Sequence, residues 1–148
     1  MEETRMADGT IKSLASRAAV WLLGGVYIAA GALKIADPLA FARAIMDYDL
    51  LPETLVPAAA VLLPWVEAAA GVLAILGRWR AGALTLLVGM SASFLAASVT
   101  ALARGLSPEC GCFGPLSGRL GAMTLMVEVT TLATSVWLLR VETRGRAG

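Results

Sequence analysis

Residues 81–103 read AGALTLLVGMSASFLAASVTALA, and no position in the stretch carries a charge. An α-helix needs about 20 consecutive apolar residues to cross the hydrocarbon core of a bilayer, and this run of 23 satisfies that length. The rest of the composition agrees. Hydrophobic residues make up 58% of the 148-residue chain and the mean hydropathy is +0.76, whereas soluble domains sit at roughly 45–50% apolar. One small domain has no interior large enough for that much apolar surface, so lipid is the expected solvent. The net charge is +1 and no Lys/Arg cluster is present, so neither gives any hint of nucleic-acid binding. The chain has no histidine, which removes Ser-His and Cys-His catalytic pairs, histidine metal sites and C-x-x-C-H haem attachment.

Three further apolar runs lie on either side of this one. Together they predict an all-α integral membrane four-helix bundle over residues 17–139, with spans at about 17–36, 54–77, 81–103 and 120–139. Residues 1–16 read as an exposed N-terminal arm and 140–148 as a C-terminal tail. The first run, between Arg17 and Lys34, has only 16 uncharged residues. Leu14 and Ala15 extend it at one end, and Lys34 is expected to snorkel towards the interface at the other. Ala30-Gly31-Ala32 resembles a signal-peptidase site, but the three later spans make sense without cleavage. Gly24, Tyr27, Gly31 and Lys34 share one helical face, and small residues on a face indicate close helix packing. Residues 35–53 hold Asp37, Pro38, Phe41, Arg43, Asp47, Tyr48, Asp49, Pro52 and Glu53 among apolar residues. This segment is too polar to span and too apolar to float free. It predicts a short interfacial helix between the first and second spans, with Pro38 in its first turn.

The second run, 54–77, contains Glu67 about 13 residues in, or ~20 Å along a helix axis. Pro64, Glu67 and Gly71 share a face, so Glu67 should point into the bundle. An intramembrane carboxyl is costly and marks a candidate functional residue, expected to be protonated or paired. A proton-handling or ligand-contacting role and a structural hydrogen bond weigh equally here. Gly82, Gly89, Ser91, Ala92, Ala96 and Ser98 in the third run read as packing residues. In the last run, Thr124, Glu128, Thr131 and Ser135 form a polar stripe at helical spacing, adding Glu128 to Glu67, Lys34 and Tyr27 as candidate intramembrane polar residues.

With four spans, both termini lie on the side of the turn at Arg78. That side collects Arg5, Lys12, Arg17, Arg78, Arg80, Arg140, Arg144 and Arg146, against Lys34, Arg43, Arg104 and Arg119 opposite. The positive-inside rule places the termini in the cytoplasm of a bacterial-type plasma membrane and the 104–119 loop outside.

That loop carries the only two cysteines, in Cys110-Gly111-Cys112-Phe113-Gly114, flanked by Pro108 and Pro115. A one-residue spacer closes a tight ring. Such a bridge gains little loop-closure entropy as a staple, and strained or exposed disulfides are the labile, reactive ones. Gly111 permits the turn, and Gly114 with the prolines holds the loop. Glu109 disfavours a thiolate at Cys110, whereas Arg119 and the start of the last helix favour one at Cys112. Two thiols cannot fill a four-ligand zinc site, though they could hold Cu(I) or a similar soft ion.

Three blocks in the chain are similar to the MauE/DoxX superfamily of small four-helix membrane proteins, methylamine-utilisation MauE branch. They are Gly31-Ala32-Leu33-Lys34 with Asp37-Pro38, Phe41, Tyr48 and Leu51-Pro52; Leu63-Pro64-Trp65-Val66-Glu67 with Gly71; and Cys110-Gly111-Cys112-Phe113-Gly114. The resemblance covers about residues 17–139. It implies a redox-associated membrane protein working with a separate thioredoxin-like extracytoplasmic protein, in a role linked to disulfide formation. Analogy with four-helix quinone-linked thiol oxidases adds a membrane quinone as the electron partner. The expected function is thiol–disulfide oxidoreductase chemistry at Cys110 and Cys112, with Gly111, Phe113 and Gly114 supporting the loop. The alternatives are a soft-metal carrier using the same thiols, or a non-catalytic assembly factor for another membrane or periplasmic protein.

Overall fold

The computed structural model describes residues 2–106 and 122–146, with side chains placed over 14–106 and 122–145. Five helices follow in order: α1 Glu2–Ala36, α2 Pro38–Asp47, α3 Val56–Leu76, α4 Arg80–Ala103 and α5 Ala122–Arg146. Four of them are long and apolar enough to cross a membrane, over Leu14–Ala36, Val56–Leu76, Arg80–Ala103 and Ala122–Gly145. Among the described residues there is no strand.

Local chemistry sets the boundaries. The Asp37 side chain caps α2 by accepting from the Ala40 N–H at 3.0 Å, and Pro38 occupies the first turn, where a missing N–H costs nothing. Gly77 ends α3 at φ +73°, a conformation that glycine adopts without strain. Two residues on, Trp79 opens α4, also left-handed at φ +56°. At the opposite end of α4, Arg104 donates to the Asp49 carboxylate at 2.6 Å and to the Asp49 carbonyl at 2.9 Å, tying the α2–α3 connection to α4. Two helices run further than the apolar pattern. α1 begins at Glu2 rather than near residue 17. α5 continues past residue 139 to Arg146, placing arginines at its negative end.

The spans close a ring. α1 packs on α3, α3 on α4, α4 on α5 and α5 back on α1, while α2 lies across α3 and the end of α1. The α1–α3 contact is the closest. A Cβ on Gly31 would fall 2.6 Å from the Pro64 carbonyl oxygen, and one on Gly71 would fall 2.7 Å from the Gly24 carbonyl oxygen. These glycines pack as their shared face predicted. The end of the ring near the α3–α4 turn is filled by Val20, Leu23, Ala70, Ala74, Leu84, Leu87 and Leu138. Trp21, Leu62, Trp65 and Leu76 face outward, as lipid-facing positions do.

The third run differs from its expected role. Gly82 and Gly89 have no heavy atom within 4 Å of a would-be Cβ, and Ala92 and Ala96 are exposed. Among the described residues they pack against nothing in this chain. The inward face of α4 follows Leu84, Leu87, Ser91 and Ser98, which puts the glycines and alanines on the outer side. The two serines are buried, and each makes a hydrogen bond across the bundle.

Candidate functional site

The polar side chains inside the ring gather in the half beneath α2. Lys34 stands in the last turn of α1. It does not snorkel. Its side chain is 1% exposed, and Nζ donates to Glu67 Oε1 and Oε2, both at 2.7 Å. The reason is α2, which folds back at Asp37 and sets Phe41 over the amine, with Phe94 of α4 also against it. Both ring centroids lie 5.0 Å from Nζ. The way to the interface is closed, and Glu67 is the group that offsets the charge. Cation–π contact of this kind strengthens when desolvated.

Glu67 points inward beside Pro64 and Gly71, as their spacing predicted. Its two carboxylate oxygens both accept from the same ammonium, so the carboxyl is engaged as an ion pair. Two turns deeper on α1, the buried Tyr27 hydroxyl bonds to Ser91 Oγ. Ser91 gives its one hydroxyl proton to the Leu87 carbonyl at 2.9 Å, which makes Tyr27 the donor between the two.

Glu128 is the second buried carboxyl, 5% exposed. Ser98 Oγ donates to its Oε1 at 2.7 Å. On the same face of α5, Thr131 donates to the Glu128 carbonyl at 2.9 Å and Ser135 to the Thr131 carbonyl at 2.7 Å. The polar stripe therefore faces the interior. From sequence, Ser91 and Ser98 read only as packing residues, and Phe94 had no role assigned. Their signal was present all the same, since i, i+3 and i+7 place them on one helical face.

Two cavities adjoin these groups. The larger, about 190 Å³, lies between α2, the α2–α3 connection and the ring; Phe41, Ala44, Ile45, Tyr48, Leu51, Leu63, Phe94 and Glu128 are among its walls. Its lining is apolar apart from Tyr48 and Glu128. An apolar cavity of ~150 Å³ accepts a benzene ring, so this one has room for a single ring. The smaller, about 40 Å³, is bounded by Tyr27, Lys34, Glu67, Ser91, Thr131 and again Phe94 and Glu128. Phe94 and Glu128 form the shared wall. Among the described residues, no group of His, Cys, Asp and Glu is placed to hold a metal.

Cys110, Gly111, Cys112, Phe113 and Gly114 lie outside the described residues. By connectivity, the segment that carries them joins the end of α4 to the start of α5. That is the end of the bundle where Arg104 meets Asp49 and the larger cavity sits.

Four apolar spans closed around a buried ion pair, with a short helix across one end, define a multi-pass membrane protein. Residues 12–141 match the family model described as methylamine utilisation protein MauE, and the chain belongs to the MauE family. No curated protein and no solved structure matches it. The matched region contains Lys34, Glu67, Glu128 and both cysteines.

Proposed function

We propose that this protein is a membrane thiol–disulfide redox protein serving methylamine utilisation. A Cys110–Cys112 disulfide oxidises a separate thioredoxin-like extracytoplasmic protein, and a membrane quinone reoxidises the pair. One observation carries this reading: the segment bearing the only two cysteines joins α4 and α5 at the end of the bundle where the ring-sized apolar cavity lies. Thiol donor and lipid-soluble acceptor would meet at one end of the molecule. The arginine asymmetry of the sequence puts that end outside the cytoplasm, where a disulfide persists.

The chemistry balances in two steps. A partner thiolate attacks the Cys110–Cys112 disulfide and forms a mixed disulfide. The partner's second thiol then resolves it, leaving an oxidised partner and two reduced cysteines. Those cysteines next lose two electrons and two protons as their disulfide re-forms, and a quinone gains both to become a quinol. Cys112, the more acidic thiol by its surroundings, would be the sulfur joined to the partner in the mixed disulfide.

The test uses the full chain in lipid nanodiscs, a reduced thioredoxin-like domain and a short-chain ubiquinone. The expected result is one quinone reduced per partner disulfide formed, with Cys110→Ser and Cys112→Ser each inactive. If the double Cys110→Ser/Cys112→Ser variant supports growth on methylamine as well as the unmodified chain, the thiol reading is wrong and an assembly role replaces it.

A further inference from the structure

We propose that Arg104 and Asp49 form a salt-sensitive latch across the mouth of the larger cavity, and that its release lets the α2–α3 connection lift from α4 and open the cavity. The inference goes beyond the redox reading. It concerns access to the cavity, and no cysteine chemistry enters it.

Among the described residues, α2 packs closely on α3 and on the end of α1, and on neither α4 nor α5. The cavity fills the gap this leaves, with Phe41, Ala44 and Tyr48 on one side and Phe94 and Ala97 of α4 on the other. Two ties bridge the gap. At the inner end, Phe41 and Phe94 both sit against the Lys34 ammonium, which is buried and paired with Glu67. Parting the rings would uncover a buried ion pair, so this is the fixed end. At the outer end stands Arg104. Phe94, Ala97, Ala101 and Arg104 follow at i, i+3, i+7 and i+10, on one face of α4 and its C-cap. Arg104 is therefore on the cavity side, about 15 Å along the axis from Phe94. Asp49 lies between Tyr48 and Leu50, both in the cavity wall. Its backbone is left-handed at φ +49°, and its carbonyl and carboxylate both accept from the one guanidinium, at 2.9 and 2.6 Å. The two side chains are 43% and 75% exposed. An exposed pair is weak and is screened by salt. The two ties thus differ in kind: one is buried and held by a charge, the other is reached by water and readily broken. A wall held this way opens at its outer end. Lifting the connection parts the Tyr48 and Leu50 wall from Ala97 and leaves the ion pair in place.

The experiment uses the full chain in lipid nanodiscs, carrying Cys110→Ser, Cys112→Ser and Ala44→Cys, so that its one thiol lies in the cavity wall. Residue 44 is buried, and N-ethylmaleimide added from solution reaches it when the cavity opens. Adding Arg104→Gln or Asp49→Asn should raise the labelling rate about three- to fivefold, the upper end of what an exposed pair contributes. Asn tolerates the left-handed backbone, so Asp49→Asn removes the charge and keeps the turn. The two changes together should do no more than either alone, because they break one interaction. Raising salt from about 0.01 M to about 1 M shortens the screening length from ~30 Å to ~3 Å. It should speed labelling by a similar factor when Arg104 and Asp49 are both present, and have no effect once Arg104→Gln is made. A labelling rate that neither variant changes overturns the latch, as does a salt response that survives Arg104→Gln. A chain with Ala74→Cys in place of Ala44→Cys puts the thiol in the core near the α3–α4 turn. A matching rise there with Arg104→Gln would mean general loosening of the bundle and would also overturn it. Should either latch variant fail to assemble, the salt response of the chain with Arg104 and Asp49 intact decides: faster labelling supports the latch, and an unchanged rate contradicts it.

Discussion

Lys34 and Glu67 neutralise each other where neither could stand alone. Removing one partner of a buried ion pair leaves an uncompensated charge and costs about 3–5 kcal/mol, while replacing both by apolar residues of similar volume is far milder. Lys34→Met and Glu67→Leu should therefore each destabilise the bundle strongly, and the double variant should lose much less than the sum. Unfolding in mixed detergent micelles with increasing SDS measures this. Equal and additive losses would mean that the pair is not the unit the geometry describes. Tyr27→Phe should be milder, at about 0.5–1.5 kcal/mol, because Ser91 keeps its bond to the Leu87 carbonyl. The inward aim of Glu67 was legible in the spacing of Pro64, Glu67 and Gly71. Its partner was not: Lys34 is 33 residues away, and a lysine near a helix end normally escapes to the interface. Only the fold-back of α2, which sets Phe41 over the amine, closes that escape.

At the scale of the helices, the glycines divide into two kinds that composition alone could not separate. A Cβ at Gly31 would meet backbone at 2.6 Å, so the α1–α3 pair would have to move apart. Gly31→Ala should destabilise by about 1–3 kcal/mol, the usual range for overpacking. Gly89 has nothing within 4 Å, and Gly89→Ala should stabilise α4 by up to about 0.5–1 kcal/mol through backbone entropy. The same SDS titration ranks both variants, and a loss at residue 89 matching that at 31 would mean the outer face of α4 is covered. The face of α1 that carries Gly24 and Gly31 was readable from sequence because Tyr27 and Lys34 share it. In α4 the one aromatic, Phe94, stood among small residues, and only its i, i+3, i+7 spacing with Ser91 and Ser98 set inward serines apart from outward alanines. The short helix was legible in Asp37-Pro38, which supplies both a cap and a first turn.

For the whole molecule, the number and order of the spans followed from run length and the placement of charges, as did the polar stripe on α5. The two cavities did not, because they arise where side chains from all five helices meet and no single element encodes them. The proposed orientation predicts that a membrane-impermeant thiol reagent labels Cys110 and Cys112 from outside intact cells after mild reduction. Labelling that requires an opened cytoplasm would invert the topology. The central claim is that the two cysteines exchange disulfides with a partner, and the most direct measurement is a trap. In cells expressing Cys110→Ser, the Cys112 thiolate should attack the disulfide of the oxidised thioredoxin-like extracytoplasmic partner, the exchange run in reverse. The mixed disulfide should accumulate because no second thiol in the loop can complete that reverse step. Non-reducing electrophoresis and mass spectrometry should show this adduct, released by reductant and weaker with Cys112→Ser. If neither single variant forms any adduct, and the unmodified chain instead purifies with one Cu(I) per molecule, the thiol-exchange account is contradicted.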